Sequence, residues 1–365
     1  MEMDSHVRLQ DHKFDAAHGE WLRARLKRLT WNGDPMRTAV ATNLAADPAL
    51  VAAADGNLAL RTIVATTARL AMLEARTPRD PASAFHHFVG LVHDFCTALI
   101  DAEAAGYSRE QLRDATRVAR EIHRASPFAC RLQDWPRGYP GDFETIEWLY
   151  TATNKAEPGT LGWAIESYAL TSAIAQQHRN KVAFQANCVR EAMARKADCR
   201  VLSVACGSSP DIRSITSSIS PSASFVLCDS DPEALAFSRQ HLEGLGGRCR
   251  FVQGMVPRVL GRVVADGPFD LIFAGGLFDY LPDRLAIRTL ELALTKLLAP
   301  GGRLVFTNIA AGNPFRVWIE YLANWTLIER TEEDVRRLCS AAGLQTPLIE
   351  RDATGLAMVV SSSGR

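Results

Sequence analysis

The sequence has no surplus of charge of either sign. Its 365 residues include 41 Lys and Arg and 41 Asp and Glu, so the formal net charge at pH 7 is +0. Proteins that bind nucleic acids or anionic membranes usually carry a clear excess of basic residues. We therefore expect neither nucleic acid nor a membrane as a partner, and we predict a small-molecule substrate.

The sequence also lacks long apolar runs and paired cysteines. No run approaches the roughly 18 apolar residues that a membrane span needs. The first residues include Glu2, Asp4 and Arg8, which do not fit a signal peptide. The eight cysteines contain no CxxC pair, which is typical of proteins in a reducing compartment. These features predict a cytoplasmic protein; a homodimer is compatible with them.

Little in the sequence suggests a metal ion. His86, His87 and His93 lie close together, but helical spacing brings only His86 and His93 onto one face. No carboxylate or cysteine at ligand spacing completes that face. We therefore predict no metal site.

Two apolar runs in the middle of the chain indicate a nucleotide-cofactor site. The first, from Val201, leads into the small residues Ala205-Cys206-Gly207-Ser208-Ser209, and the second ends at Asp229. Where a strand turns into a helix through small residues, backbone N–H groups can approach a ligand closely. An acid roughly twenty residues later can accept hydrogen bonds from both hydroxyls of a ribose. Gly207 is the one glycine at the three alternate positions where glycines are expected, the other two being Ala205 and Ser209.

Beyond Asp229 helical and strand patterns alternate, and such alternation builds a parallel sheet with helices on both faces. Thr331 with Asp334 has the pattern of a capping box, and Gly343 is expected to end that helix. Helices are predicted at 232–242 and 283–298, and strands at 250–253, 269–273, 303–307, 346–350 and 356–360. The predicted fold class is therefore α/β: a Rossmann-like, seven-stranded, mostly parallel sheet with a C-terminal antiparallel hairpin, plus an N-terminal all-helical domain.

The first half of the chain divides into two predicted parts. Residues 1–125 show helical spacing of apolar residues and form the N-terminal helical domain. Residues 126–195 supply a substrate-lining loop and helices that pack on the catalytic domain, which covers 196–365. Within 134–145, two prolines and two glycines define an irregular loop, and Arg137, Tyr139 and Asp142 give it more polar groups than a linker needs.

The order of these motifs resembles class I S-adenosylmethionine-dependent methyltransferases, over about residues 180 to 361. Val201–Ser209 resembles their first motif, Asp229 their ribose-binding acid, and Leu298-Ala-Pro-Gly-Gly-Arg-Leu-Val305 the approach to their fifth strand. A dehydrogenase would be expected to keep a fuller glycine motif and to lack the terminal hairpin. The resemblance implies S-adenosyl-L-methionine as cofactor, and the residues expected to bind it are Ala205, Cys206, Gly207, Ser208, Asp229, Ser230, Gly254, Met255, Gly275 and Arg179.

A narrower resemblance rests on Arg137–Glu144, Ala274–Leu281 and Trp318–Thr331. These stretches are similar to bacterial methyltransferases of 3-hydroxypalmitic acid methyl ester biosynthesis. That resemblance implies O-methylation of a 3-hydroxy fatty acid carboxylate, which yields a methyl ester signal. A long apolar tunnel in the helical domain would support this reading.

The polar and aromatic residues around the predicted strand ends favour a different acceptor. Carboxylates and aromatic rings together suit a cationic amine or guanidinium, so we favour N-methylation of an amino-acid-like acceptor, of arginine type for example, in specialised metabolism. The candidate catalytic residues are Asp142, Asp279 and Glu320, and the candidate substrate-binding residues are Tyr139, Tyr280, Asn308, Tyr321 and Trp325.

Simpler roles remain open for several of these residues. Tyr321 and Trp325 have helical spacing and are compatible with a plain core, and Asp142 is compatible with a helix N-cap. Inward-turned Arg137, Arg179 or Arg316 would favour an acyl carboxylate instead. A cofactor-binding regulator without turnover is a third possibility, because the glycine motif is incomplete.

Overall fold

The described part of the chain begins with a layer of helices. The computed structural model describes residues 58–75 and 80–363, so residues 1–57 of the predicted N-terminal domain lie outside it. In chain order, the helices are α1 (Leu58–Ala75), α2 (Pro81–Ala104), α3 (Arg109–Ala115), α4 (Arg117–His123), α5 (Pro127–Asp134), α6 (Phe143–Thr151), α7 (Leu161–Thr171) and α8 (Ala173–Arg195).

Local sequence signals account for where these helices begin. Asp80 accepts hydrogen bonds from the backbone N–H groups of Ala82 and Ser83, and a proline follows it at the first position of α2. Ser126 and Pro127 repeat this arrangement at the start of α5. A capping side chain satisfies N–H groups that lack helical partners, and proline has no N–H to lose there.

A seven-stranded sheet follows the helices, in the order β3-β2-β1-β4-β5-β7-β6. The first five strands pair in parallel, whereas β7 is antiparallel to both β5 and β6. The strands are β1 (Arg200–Val204), β2 (Ser224–Asp229), β3 (Cys249–Gln253), β4 (Phe269–Ala274), β5 (Leu298–Ile309), β6 (Leu348–Arg351) and β7 (Ala357–Ser363). The predicted fold class is confirmed.

Helices connect the strands, as the alternating pattern predicted. The capping box at Thr331 is confirmed, because Thr331 and Asp334 exchange hydrogen bonds with each other's backbone N–H groups. The helices are α9 (Pro210–Arg213), α10 (Pro232–His241), α11 (Arg258–Arg262), α12 (Asp283–Leu292), α13 (Arg316–Tyr321) and α14 (Glu332–Ala341).

Most predicted bounds lie within three residues of the observed ones, and two differ by more. Helix α12 ends at Leu292 and a π-helical turn follows it over Ala293–Leu297. Strand β5 begins at Leu298, five residues before the expected start, so the Pro-Gly-Gly segment lies inside the strand. A Cβ at Gly302 would be 2.9 Å from the carbonyl oxygen of Phe269, so only glycine lets the two strands approach this closely.

The helical layer and the catalytic sheet share core residues. Apolar residues of α2, α5 and α7 form one buried cluster, and this cluster includes Val317, Trp318 and Ile319 from α13. Two other clusters cover the two faces of the sheet. The chain therefore returns from β5 to complete the helical core, and the boundaries proposed near residues 125 and 195 stay predictions.

Candidate active site

A cavity of about 350 Å³ opens at the carboxyl ends of β1, β2 and β4. The strand order reverses between β1 and β4, which is where α/β sheets usually bind ligands. Its volume lies within the roughly 300–1,000 Å³ of small-molecule sites. The lining residues are Tyr139, Pro140, Gly141, Phe143, Ile146, His178, Lys181, Val182, Gln185, Ser203, Ala205, Cys206, Gly207, Ser208, Pro210, Asp211, Asp229, Ser230, Gly275, Gly276, Leu277, Asp279, Tyr280 and Leu327.

The turn between β1 and α9 adopts the conformation of a glycine-rich loop although it contains one glycine. Ala205, Gly207 and Ser209 have φ values of 56°, 53° and 53°. For Ala205 and Ser209 this left-handed region costs free energy, which the surrounding fold must offset. Ser209 is held by a hydrogen bond between its hydroxyl and that of Ser238, at 3.1 Å. All three positions where glycine was expected therefore have the left-handed backbone conformation that glycine adopts most easily.

Asp229 connects this turn to the end of β2. One carboxylate oxygen accepts from the N–H of Gly207 at 2.8 Å, and the other accepts from the N–H of Asp231 at 2.9 Å. Burial raises the pKa of Asp229, while these backbone hydrogen bonds oppose the rise. Because each carboxylate oxygen has more than one lone pair, both can still accept from a ligand.

Most of the predicted cofactor residues lie together. Asp229 and Ser230 line the cavity, as do the residues of the 205–208 turn and Gly275. Gly254 is bonded through its N–H to the carbonyl of Asp229 but does not line the cavity, and Met255 is 74% exposed. Arg179 is directed elsewhere, with its guanidinium donating to the carbonyl of Leu149 at 2.8 Å. The cofactor roles of these residues stay predictions.

Residues 137–147, the roof segment, cover one side of the cavity. Arg137 forms two hydrogen bonds to Asp231, at 2.6 and 2.7 Å, and Tyr139 donates its hydroxyl to the same carboxylate at 2.8 Å. Burial acts to raise the pKa of Asp231, but these hydrogen bonds outweigh it and lower the pKa to about 2. At the other end, Glu147 accepts from the hydroxyl of Ser208 at 2.5 Å. The roof segment is thus bound to the turn after β1, through Ser208, and to the turn after β2, through Asp231.

A group of polar side chains, the acceptor end, lies beyond Gly275. It consists of His178, Lys181, Asp279 and Tyr280. Asp279 accepts from the N–H of Ile309 at 2.6 Å and from Lys181 Nζ at 3.2 Å. Both charged side chains are buried, at 4% and 5% exposure, so the ion pair lies in a region of low dielectric.

His178 and Tyr280 complete the acceptor end. The ring of His178 stacks on Trp325 with centroids 5.7 Å apart, and Trp325 donates its indole N–H to the Tyr280 hydroxyl at 2.7 Å. Burial, with smaller effects of Lys181 and Arg179, lowers the pKa of His178 well below its usual value. Over residues 58–75 and 80–363 no hydrogen bond joins the His178 ring to another protein group. A neutral imidazole therefore faces the cavity.

A smaller apolar cavity of about 20 Å³ adjoins the acceptor end within the helical core. Its walls include His178 and Leu327, which also line the main cavity. This volume holds about one water-sized sphere. The described residues therefore contain no long apolar tunnel at this position.

The other predicted acceptor residues lie outside the main cavity. Asp142 caps α6 by accepting from the N–H groups of Glu144 and Thr145, and it pairs with Arg131. Glu320 is bound at 3.0 Å by Arg109 in the helical layer. Both acids are thus used within the fold, which is the simpler role for Asp142 that the sequence left open.

The remaining three lie close behind the cavity or in the core. Asn308 donates to Asp279 at 3.3 Å, and Trp325 contacts Tyr280. Tyr321 is buried and donates its hydroxyl to Glu103 at 2.8 Å. Of the eight predicted acceptor residues, Tyr139, Asp279 and Tyr280 line the cavity.

The polar face of α8 was not among the predicted site residues. His178, Lys181 and Gln185 follow at intervals of three and four, which places them on one helix face, and all three line the cavity. Gln185 packs against Gly275, where a Cβ would be 2.3 Å from its Nε2 atom. Polar residues at helical spacing directly before the cofactor motif were the available signal. Asp211 was also missed; burial raises its pKa to about 6.

The residues present fit S-adenosylmethionine. The carboxylate of Asp229 suits a ribose diol, the backbone of the 205–209 turn permits close approach, and the absence of a side chain at Gly275 lets the Gln185 amide pack against the cavity wall. Among the described residues no group of three His, Cys, Asp or Glu could hold a metal ion. The helices within 58–75 and 80–363 include none with the length and apolar character of a membrane span.

Comparison with known proteins supports this assignment. Residues 195–347 match the sequence model of a methyltransferase domain. A comparison with curated proteins gives no match. A "possible exported protein" from Bordetella parapertussis has a similar structure, with a TM-score of 0.51 and 19% identity over 61% of this chain and 79% of that one. This likeness concerns the fold alone.

Two other solved structures have lower TM-scores and carry no argument about the acceptor. Magnesium protoporphyrin IX methyltransferase from Synechocystis PCC 6803 has a TM-score of 0.40 and 12% identity, over 53% of this chain and 87% of that one. An N-methyltransferase from Bradyrhizobium japonicum WM9 has a TM-score of 0.38 and 14% identity, over 61% and 97%. The matched domain and the cavity that fits the cofactor lead to one conclusion: the chain contains an S-adenosylmethionine-dependent methyltransferase domain.

Proposed function

We propose that the enzyme methylates a nitrogen atom of a small, polar, amino-acid-like acceptor. The observation that carries the proposal is the neutral imidazole of His178, which faces the cavity without a hydrogen bond to another described residue. A ring nitrogen without a proton can accept a hydrogen bond from an acceptor N–H and orient the lone pair.

The bound cofactor supplies an activated methyl group, so the protein mainly has to orient the acceptor and accommodate its proton. An aliphatic amine arrives largely as an ammonium ion, because such amines have pKa values near 10. It must release one proton to solvent before its lone pair can attack. His178 can hold the remaining N–H, and Tyr280 supplies a second polar group on the same wall.

The charges around the acceptor end also support a nitrogen. The three arginines that could favour an acyl carboxylate are engaged elsewhere: Arg137 with Asp231, Arg179 with the Leu149 carbonyl and Arg316 with Glu103. The apolar cavity of about 20 Å³ gives a long acyl chain no room among the described residues. A 3-hydroxy fatty acid would require that core to open.

The narrower family resemblance keeps ester formation as a competing function. One observation favours it: Lys181 provides a cation at the cavity wall that an acyl carboxylate could contact. A cofactor-binding regulator without turnover is the third alternative. The three functions predict different outcomes, namely an N-methyl product, a methyl ester and no product, so one experiment separates them.

The test is transfer of a labelled methyl group from S-adenosylmethionine to a panel of amines, guanidines, amino acids and 3-hydroxy fatty acids. We expect label in an amine or guanidine product that resists base. A base-labile product that releases labelled methanol would instead establish ester formation. Cofactor binding without transfer to any member would favour the regulator.

A variant tests whether the His178 imidazole contributes to methyl transfer. With the accepted substrate, His178→Ala is expected to lower kcat roughly tenfold or more and to leave affinity for S-adenosylhomocysteine within twofold. His87→Ala, which alters a histidine outside the cavity, is the matched control. An unchanged kcat in His178→Ala would contradict the role given to the imidazole.

A further inference from the structure

Lys181 is a buried ammonium group with unused hydrogen-bonding capacity. Lys181 is 4% exposed, and its one hydrogen bond within the described chain is to Asp279 Oδ2, at 3.2 Å. An ammonium group has three donors. Two N–H groups therefore have no acceptor among the described residues, in a region where an unpaired polar group is costly.

The surroundings of Lys181 direct those two donors toward the cavity. Lys181 lines the cavity wall, and its Nζ atom is 4.0 Å from the position that a Cβ on Gly276 would occupy. The other oxygen of Asp279 is already used by the N–H of Ile309 and by Asn308. Asp279 thus fixes the ammonium in place but leaves two of its donors free.

We infer that Lys181 binds a carboxylate group of a ligand in this cavity, in an arrangement where Asp279 positions the ammonium. A carboxylate offers two acceptor oxygens and matches the charge of the unused donors. The same helix face carries Gln185, whose amide packs against Gly275 and also faces the cavity. A carboxylate between these side chains would have donors from two successive helical turns.

Two ligands could supply this carboxylate. One is the amino-acid end of the methyl donor, and the other is an amino-acid acceptor, in which case the inference rests on the proposed function. The distinction matters for substrate class, because the second source would make the acceptor an α-amino acid or a related carboxylate and would exclude simple amines.

Calorimetric titration of the full chain separates the two sources. The probes are S-adenosylhomocysteine, which carries the carboxylate, and methylthioadenosine, which lacks the amino-acid end. If the donor is the source, Lys181→Met weakens S-adenosylhomocysteine binding roughly tenfold or more and leaves methylthioadenosine binding unchanged. Lys181→Arg should recover much of that loss. Lys196→Met, which removes a surface lysine paired with Asp270, is the matched control.

The second arm uses the wild-type chain saturated with S-adenosylhomocysteine, titrated with amino acids and with their decarboxylated amines. If the acceptor is the source, Lys181→Met binds both nucleosides normally. The wild-type complex then binds an amino acid roughly tenfold or more tightly than the matching amine, and Lys181→Met loses this preference.

One combination of results overturns the inference. It is normal binding of S-adenosylhomocysteine to Lys181→Met, together with no preference of the wild-type complex for any amino acid over its amine. If Lys181→Met does not fold, two measurements on the wild-type chain still test for a bound carboxylate. They are the acid-to-amine comparison and the affinity for a decarboxylated analogue of S-adenosylhomocysteine. Methyl transfer to amines together with that combination would leave the proposed N-methylation intact and remove the carboxylate site.

Discussion

Asp229 accepts a hydrogen bond from the N–H of Gly207 at 2.8 Å, so the end of β2 fixes the turn that follows β1. The same carboxylate is the predicted ribose ligand. Asp229 would therefore both stabilise the turn and bind the ribose. These two roles can be measured separately, because the hydrogen bond to Gly207 exists without ligand, whereas the ribose contact requires it.

We predict that Asp229→Ala weakens S-adenosylhomocysteine binding by about 1.5–3 kcal/mol, since hydrogen bonds to a charged group are lost. The measurement is calorimetry with S-adenosylhomocysteine and with its 2′-deoxyribose analogue. The wild-type chain should bind the analogue more weakly, and Asp229→Ala should discriminate less between the two. Equal discrimination in both proteins would show that Asp229 does not bind the ribose.

Arg137 is predicted to stabilise the roof segment through Asp231. The lowered pKa of Asp231, about 2, means that its stabilising contribution is present above the unfolded-state pKa near 4 and is lost as pH falls toward 2. Arg137→Ala should reduce the free energy of unfolding at pH 7 by roughly 1–2 kcal/mol, because Tyr139 and the N–H of Glu233 still donate to the carboxylate. The difference from wild type should shrink as the pH falls from about 4 toward 2.

Denaturant unfolding at several pH values checks this prediction, with Arg137→Lys as the control that keeps the charge but not the paired hydrogen bonds. A difference that stays constant from pH 7 to pH 3 would rule out an origin in the ionised Asp231. Faster dissociation of S-adenosylhomocysteine from Arg137→Ala would link the same contact to retention of the cofactor.

Asp211 is predicted to give the opposite pH dependence. Burial raises its pKa to about 6, so between about pH 4 and 6 the folded chain binds more protons than the unfolded chain. Its contribution to the free energy of unfolding therefore decreases as the pH rises through that window. Without ligand, Asp211→Asn should match wild type near pH 4 and exceed it at pH 7 by up to about 3 kcal/mol.

Thermal or denaturant unfolding at pH 4 and pH 7 measures that difference. The exposed residue Asp198, replaced by Asn, provides the control for loss of one negative charge. If Asp211→Asn differed from wild type by the same amount at both pH values, its carboxyl would not titrate as described.

Glu320 is predicted to affect stability instead of acceptor binding. It accepts from Arg109 and Arg316 and does not line the cavity. Glu320→Gln should lower the free energy of unfolding by roughly 1–3 kcal/mol, because charged hydrogen bonds are lost, and should leave KM for the acceptor within twofold. A KM raised tenfold with unchanged stability would restore the acceptor role suggested by the sequence.

The sequence predicted the sheet well because its signals are local. Alternating apolar runs, the Thr331 capping box and the acid at Asp229 each depend on residues close in the chain. The cofactor turn was also recognisable, since small residues at Ala205 and Ser209 mark positions that the fold holds at positive φ.

The acceptor end was harder to predict because it depends on contacts between distant segments. Asp279 was identified from its place after β4, but its partner Lys181 lies 98 residues earlier. Glu320 has a similar chemical character and a similar position after a strand. Only the fold shows that its side chain meets Arg109, on α3, and not the cavity.

The placement of Trp318 in the helical core has a consequence for biosynthesis. Helices α2 and α7 leave the ribosome long before α13, yet their buried cluster includes Val317, Trp318 and Ile319. Helix α7 ends at Thr171 and α2 at Ala104, whereas α13 begins at Arg316, so until then these helices expose the apolar surface that α13 will cover. Chaperone occupancy on the nascent chain should therefore persist until that late helix emerges, and Trp318 fluorescence would report the moment of closure.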